Sequence, residues 1–141
     1  MDKTDALHYN RSPILAIDFD GTIVKHRWPE IGPAIPGAIE SLRTLTANGA
    51  RLMLWTNRSG KFLEEAIAYL KKNSVELWGI NENPEQGGWT DSPKQYAHIY
   101  VDDAGLGCPL MLPPGERPYV DWSKVGPLLL RRVVTWQPHL L

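Results

Sequence analysis

The order of apolar and periodic segments predicts an α/β fold, a doubly wound parallel sheet in a single domain. Three observations carry this expectation. Short, nearly uninterrupted apolar runs alternate with stretches of helical period. Two of those runs end in paired acids, Asp18 with Asp20 and Asp102 with Asp103. The 141 residues suffice for one buried core but not for two independent ones. Such alternation is solved by parallel strands joined through right-handed crossovers, with helices on both faces of the sheet.

Residues 1–12 are polar, carry Asp2 and Asp5, and read as a flexible segment ahead of the domain at 13–141. Residues 13–19 form an apolar run ending in acid, as expected of a strand buried on both faces whose C-terminal end meets solvent. Gly21 breaks it. Pro36 marks a helix start, and Ile39, Leu42 and Leu45 recur every third residue until Gly49 stops the helix. A second strand follows at 51–56. Ser59 is placed to cap the next helix, in which Phe62, Leu63, Ala66, Ile67 and Leu70 form one stripe and Lys71 and Lys72 suit the C-terminal dipole. Residues 75–80 read as a third strand, 81–93 as a polar surface loop and 98–103 as a fourth strand. Further on, 109–112 suits a short fifth strand, and 123–134 a final helix that Gly126 and Pro127 interrupt.

Apolar residues make up 43% and charged residues 22%, a balance that excludes a disordered or fibrous chain. A net charge of −1 gives no general grip on nucleic acid and leaves only a local basic patch as a route to it. Cys108 is the only cysteine, which excludes an internal disulfide and a thiolate metal cluster and fits a reducing compartment. Neither a signal-like apolar start nor a run long enough for a bilayer is present, so a cytoplasmic protein without a membrane partner is expected.

The chemistry concentrates where strands end. In Ile17-Asp18-Phe19-Asp20-Gly21-Thr22 two carboxylates stand two residues apart, and Gly21 permits a sharp exit close to a ligand. Neighbouring carboxylates must share a cation or shift a pKa, and Mg²⁺, a hard oxygen-seeking ion, resolves the conflict. An isolated acid-x-acid turn is ordinarily just a turn. Here Thr56 and Asn57 close the second strand ahead of a helix N-terminus, where anions are favoured. Asp102 and Asp103 close the fourth, with Lys94 eight residues before Asp102. Taken singly, Thr56 and Asn57 suit capping and Lys94 a solvated surface.

Together these segments resemble the haloacid dehalogenase superfamily of phosphatases over positions 14 to 103. The series is acid-x-acid-Gly-Thr, an apolar strand ending in Thr, then Lys, then an apolar strand ending in Asp-Asp. His26-Arg27-Trp28-Pro29 and Trp55-Thr56-x-Arg58 are similar to a subgroup of very small bacterial hydrolases. The resemblance implies a Rossmann-like fold and hydrolysis of a phosphate monoester through an aspartyl phosphate. It assigns attack on phosphorus to Asp18 and proton transfer to Asp20. Thr56 would bind the phosphoryl oxygens and Lys94 would offset charge. Mg²⁺ would be held by Asp18, the backbone carbonyl of Asp20, Asp102 and Asp103. A proton donor at Asp20 favours phosphate esters over dehalogenation, which needs none.

Only 35 residues separate Asp20 from Thr56, and 37 separate Thr56 from Lys94, too few for an inserted cap domain beside the expected elements. A flap at about 24–35 carries Lys25, His26, Arg27 and Trp28. Lys25, Arg27 and Trp28, with Asn57 and Arg58, are candidates for substrate contact. A solvated hairpin tip with Trp28 packed beneath it, and pairing of Arg58 with an acid of its own helix, are equally open. His26 and His98 read as packing residues, since Mg²⁺ prefers oxygen. The partner expected is a phosphorylated molecule of unspecified class, with sugar phosphate, nucleotide, phosphoprotein and nucleic-acid end all compatible. A homo-oligomer covering the open site is a further option, through the apolar stretch 128–130 or not at all if that stretch is core. Two rival functions remain. A receiver-like phosphoacceptor module shares the residue types, but its acid pair precedes the acceptor strand, an order not found here. A catalytically inactive binding protein on the same fold is not encouraged by the sequence, since no motif position is lost.

Overall fold

The computed structural model describes residues 12–137, so the expected flexible segment 1–12, Ser12 apart, lies outside the described residues. Among the described residues six strands follow in chain order: β1 (Ile14–Ile17), β2 (Arg51–Leu54), β3 (Gly79–Ile80), β4 (Ile99–Val101), β5 (Leu110–Met111) and β6 (Tyr119–Val120). Three helices accompany them: α1 (Ala38–Ala47), α2 (Gly60–Lys72) and α3 (Trp122–Val134). The first four strands form one parallel sheet in the order β3-β2-β1-β4. β1 lies at its centre with all four side chains buried, as its unbroken apolar run requires. The α/β class and parallel sheet are those expected.

Alternate residues of β1 and β2 divide the core in two. Leu15, Ile17, Leu52 and Leu54 pack with Leu42 and Leu45 of α1, Leu70 of α2 and Trp122, Leu129 and Val133 of α3. Ile14, Ala16 and Met53 face the other way, into a small cluster with Ala97 bordered by Trp55, Trp78 and Tyr96. All three helices therefore share one face, and the expectation of helices on both holds only there. The second face is covered by the chain between β3 and β4, whose only helical element is a 3₁₀ turn at Gln86–Gly88.

That connection lacks helical periodicity, and buried amide side chains organise it instead. Gln86 donates to the carbonyls of Ser92 (3.2 Å) and Lys94 (2.8 Å) and accepts from the Tyr96 N–H (2.6 Å). Asn83 donates to the Tyr96 carbonyl at 2.8 Å. The segment read as a surface loop is thus tied from within to the chain that leads into β4.

Other boundaries differ from expectation by local causes. α1 starts at Ala38 behind Gly37, which takes φ +84°. Ser59 sits at the N-cap of α2, but its side chain makes no capping bond. β5 and β6 pair antiparallel as a separate ribbon rather than extending the sheet. α3 runs unbroken through Gly126 and Pro127, capped by the Asp121 carboxylate on the Ser123 N–H at 3.1 Å. Gly126 is buried against α1, where a Cβ would stand 2.8 Å from Ser41 Oγ, so the residue that looked like a breaker lies in a close helix contact. In the stretch 128–130, Leu129 is core and Leu128 is exposed. No helix among the described residues is long and apolar enough to cross a membrane.

Replacing Gln86 by Met keeps the volume and deletes three hydrogen bonds between a buried side chain and the backbone. A loss of about 1–3 kcal/mol in unfolding free energy is expected, as for buried polar groups left unpaired. Denaturant titration measures the loss, and hydrogen exchange should accelerate mainly across residues 83–98.

Candidate active site

Strand order reverses at β1, because β2 and β3 lie to one side of it and β4 to the other. The crevice beyond the carboxyl ends of β1 and β4 is where open α/β sheets accept ligands. Pairing continues one residue past β1, with the Asp18 N–H donating to the Val101 carbonyl at 3.0 Å. The chain then turns sharply at Gly21, whose φ of +83° and tight surroundings exclude a side chain: a Cβ would collide with the His26 ring and the Asp103 carboxylate. The C-terminal elements hold the turn in place. Val120 N–H donates to the Gly21 carbonyl at 3.0 Å, and Trp122 Nε1 donates to the Thr22 carbonyl at 2.6 Å.

This architecture gathers Asp18, Asp102 and Asp103, each with a carboxylate oxygen within 4.8 Å of the other two. The buried Thr22 hydroxyl stands among them. It donates to Asp18 Oδ2 at 3.1 Å and accepts from the Asp103 N–H at 3.1 Å. His26 Nε2 lies 3.0 Å from Asp103 Oδ2. Burial, the hydrogen bond shared with Asp103 and the charge of Asp102 push the Asp18 carboxyl up to about 8. Burial also works against the charge on Asp103, but the His26 hydrogen bond and the contact with Asp18 carry its carboxyl below the usual range. Three acids in partial burial form an anionic hollow of the kind that a small divalent, oxygen-seeking cation neutralises.

An open cleft of about 310 Å³ adjoins the acids, lined by Asp18, Trp55, Thr56, Asn57, Asn81 and Asp102. Asn81 Oδ1 accepts from the Thr56 N–H at 2.8 Å, and Thr56 Oγ1 accepts from the Arg58 N–H at 3.1 Å. The Thr56 hydroxyl is thereby oriented with its own hydrogen left for a further acceptor.

The flap is pinned from below. Lys25 pairs with Glu116 at 2.8 Å, and its Nζ lies 5.1 Å from the Tyr119 ring centroid. Trp28 remains 56% exposed, yet one face of its ring covers Arg58 and its edge meets Phe62. Arg58 itself is buried. Its Nε donates to Asp20 Oδ2 and its Nη2 to Asp20 Oδ1, both at 2.8 Å.

Of the residues singled out from sequence, Asp18, Asp102, Asp103, Thr56 and Asn57 meet around one hollow and its cleft. Asp20 adjoins them on the turn but faces Arg58. Arg58 is not available to a substrate: with its side chain 0% exposed it pairs with Asp20, neither of the two roles read for it. Lys25 is ion-paired with Glu116, Trp28 covers Arg58 while half of it stays exposed, and Arg27 is exposed. Lys94 does not line the cleft. It lies exposed over a neighbouring groove with Trp89, Thr90, Ser92, Tyr96, Ala97 and Tyr100. His98 Nδ1 accepts from the Ile14 N–H at 2.8 Å, a structural bond. Thr22, Asn81 and the contact of His26 with Asp103 escaped the sequence reading. Thr22 carried a signal, as the last residue of the acid-x-acid-Gly-Thr run. Asn81, taken as loop polarity, carried none beyond standing after a strand.

A family model described as haloacid dehalogenase-like hydrolase matches residues 15–86. Among solved structures, a conserved protein from Bacteroides thetaiotaomicron matches at 33% identity and a TM-score of 0.72, covering 86% of this chain and 92% of its own. Comparison with curated proteins returned no match.

The raised Asp18 carboxyl fixes a pH signature. Its pKa is higher folded than unfolded, so its contribution to stability is complete below the ordinary carboxylate value of 3.8 and is lost as pH rises through about 8. Asp102→Asn removes one repelling charge and keeps an oxygen for the Ala104 N–H. In chelator at pH 8 this variant should be more stable than the parent by about 1 kcal/mol, the worth of a shift near one pKa unit. The gain should fade toward pH 5, where Asp18 is protonated in both. Thermal melts across that range measure it, and an equal gain at both pH values would contradict the repulsion described.

Proposed function

Because the chain belongs to the haloacid dehalogenase-like hydrolases, we propose that it is a Mg²⁺-dependent phosphatase that hydrolyses a phosphate monoester with Asp18 as nucleophile. One observation carries this reading: three carboxylates converge beside a cleft whose wall presents the Thr56 hydroxyl. The residues fit the ion, since an all-oxygen anionic hollow that pushes its own Asp18 toward protonation suits Mg²⁺ and offers no sulfur to softer metals. Asp18, Asp102, Asp103 and the backbone carbonyl of Asp20 would hold it. When bound, the ion neutralises charge on the carboxylates and on the phosphoryl oxygens.

In the proposed reaction an Asp18 oxygen bonds to phosphorus as the bond to the leaving oxygen breaks, and that oxygen takes a proton from Asp20. Asp20 then removes a proton from water as the water oxygen bonds to phosphorus. The Asp18–phosphorus bond breaks, which restores the carboxylate and releases inorganic phosphate. Thr22 fixes the rotation of the Asp18 carboxylate through its bond to Oδ2. Thr56 donates its remaining hydrogen to a phosphoryl oxygen. Lys94 keeps the role of offsetting charge only if the stretch around 90–95 carries its exposed side chain to the cleft. Asn57, on the cleft wall, and Arg27, exposed on the flap, are assigned to the part of the substrate beyond the phosphate.

Asp18→Asn preserves volume and removes the nucleophile, so steady hydrolysis of 4-nitrophenyl phosphate should fall to the blank while the melting transition remains cooperative. Turnover well above the blank would remove Asp18 from the role. Chelation should silence the parent enzyme, and Mg²⁺ should restore it. Full activity in excess chelator would exclude the metal, and inactivity of the parent on every phosphate ester supplied with Mg²⁺ would favour a binding protein on this fold.

A further inference from the structure

Arg58 is the largest fully buried side chain in the molecule as described, and it is charged. All three guanidinium nitrogens are engaged. Nε and Nη2 grip the two oxygens of Asp20, Nη1 donates to the carbonyls of Pro29 (3.0 Å) and Phe62 (3.4 Å), and Nη2 also donates to the carbonyl of Glu30 (3.0 Å). Phe19 and Trp28 lie against it, each ring centroid 5.1 Å from the guanidinium carbon. The group has no unused donor with which to reorient, and its plane is clamped.

Stability alone is a poor account of this pair. A buried ion pair contributes little net stability over apolar residues of the same volume, because desolvation offsets the attraction. What a planar fork supplies and apolar packing does not is direction. An aspartate carboxylate turns readily about its last bond, and two parallel bonds from a clamped guanidinium stop that rotation. The fork occupies one lone-pair direction on each Asp20 oxygen and leaves the other for a proton. Two flap carbonyls, those of Pro29 and Glu30, rest on the same guanidinium, so the flap and the Asp20 carboxylate share one mount.

We infer that Arg58 is a positioning residue for proton transfer, aiming the Asp20 carboxylate at the leaving oxygen and then at water, with the flap held on the same guanidinium. This rests on the phosphatase reading above. Arg58 acts through Asp20 and touches no reacting atom. Arg58→Lys keeps the charge and loses the fork.

The test compares kcat/KM for phenyl phosphate, whose leaving oxygen needs a proton, with that for 4-nitrophenyl phosphate, whose leaving oxygen departs without one. For Arg58→Lys the loss on phenyl phosphate should be on the order of 10²-fold, the lower range for a positioned acid, and on 4-nitrophenyl phosphate several times smaller. Slowed water activation should let the aspartyl phosphate accumulate, seen as a burst of 4-nitrophenol before the steady rate. In an Asp20→Asn background the same substitution should add nothing. If Arg58→Lys does not fold, Trp28→Leu takes its place. It uncovers one face of the guanidinium at an exposed position and should give the same unequal loss in smaller measure. Equal losses on both esters without a burst, or no loss, would overturn the inference. Absence of turnover by the parent enzyme on either ester would instead overturn the phosphatase reading, so the two failures are distinct.

Discussion

Three carboxylates cannot be held within 4.8 Å of one another in partial burial unless the surrounding structure resists their repulsion. The resistance here is the apolar core. β1 is buried on both faces and its register with β4 sets Ile17 beside Val101, so the residues that follow are brought together wherever their charges would prefer to be. Sequence segments 81 to 85 residues apart meet at that point. The ribbon of β5 and β6 and the start of α3 then brace the turn after Asp18 through the Gly21 and Thr22 carbonyls. Strain of this kind collects at functional sites, where rigid packing elsewhere tolerates a locally unfavourable arrangement.

Only Phe19 separates Asp18 from Asp20, yet their surroundings are opposite. Asp18 faces other acids and is driven toward protonation, while Asp20 faces a guanidinium. Divergent environments are how one fold gives two carboxylates different work. In the proposed reaction the attacking group sits where a bound cation would offset the acids around it, and the proton carrier sits where a guanidinium holds both its oxygens. The buried Arg58 fixes the orientation of Asp20 beside that hollow.

The parallel sheet, its helices and the acids at its strand ends were legible because each depends on a local pattern: apolar runs of strand length, a three-residue stripe in α1, acids immediately after strands. What stayed hidden depends on who meets whom across the chain. No periodicity tells that the β3 to β4 connection dispenses with a helix, because Asn83 and Gln86 look like any polar loop residues until their partners at 92–96 are known. Arg58 beside Thr56 invited a substrate role, and only the tertiary fold shows Asp20 and the flap carbonyls closing around it. Gly126 and Pro127 argued for a break in α3, but burial of Trp122, Leu129 and Val133 against α1 and the sheet outweighs the local preference. Lys94 is the opposite case: its spacing to Asp102 fitted a pattern, and the structure leaves its side chain in the next groove.

Among the described residues no inserted domain stands over the acids, and this shifts the burden of catalysis. A closing cap strengthens every charge in a site by excluding water. An open cleft of about 310 Å³ has no such enclosure of its own, so its groups act against a higher dielectric and each is worth less per contact. What an open site can retain is preorganisation, since groups already aimed need no reorganisation when charge develops. The molecule shows that solution repeatedly: Thr22 set on Asp18, Asn81 on Thr56, Arg58 on Asp20, and the flap tied down at Lys25 and Trp28. In the proposed reaction, recognition of the substrate's remote part falls to exposed groups such as Arg27 and Asn57. In that arrangement affinity is gained outside the site and chemistry is supported by what is fixed within it.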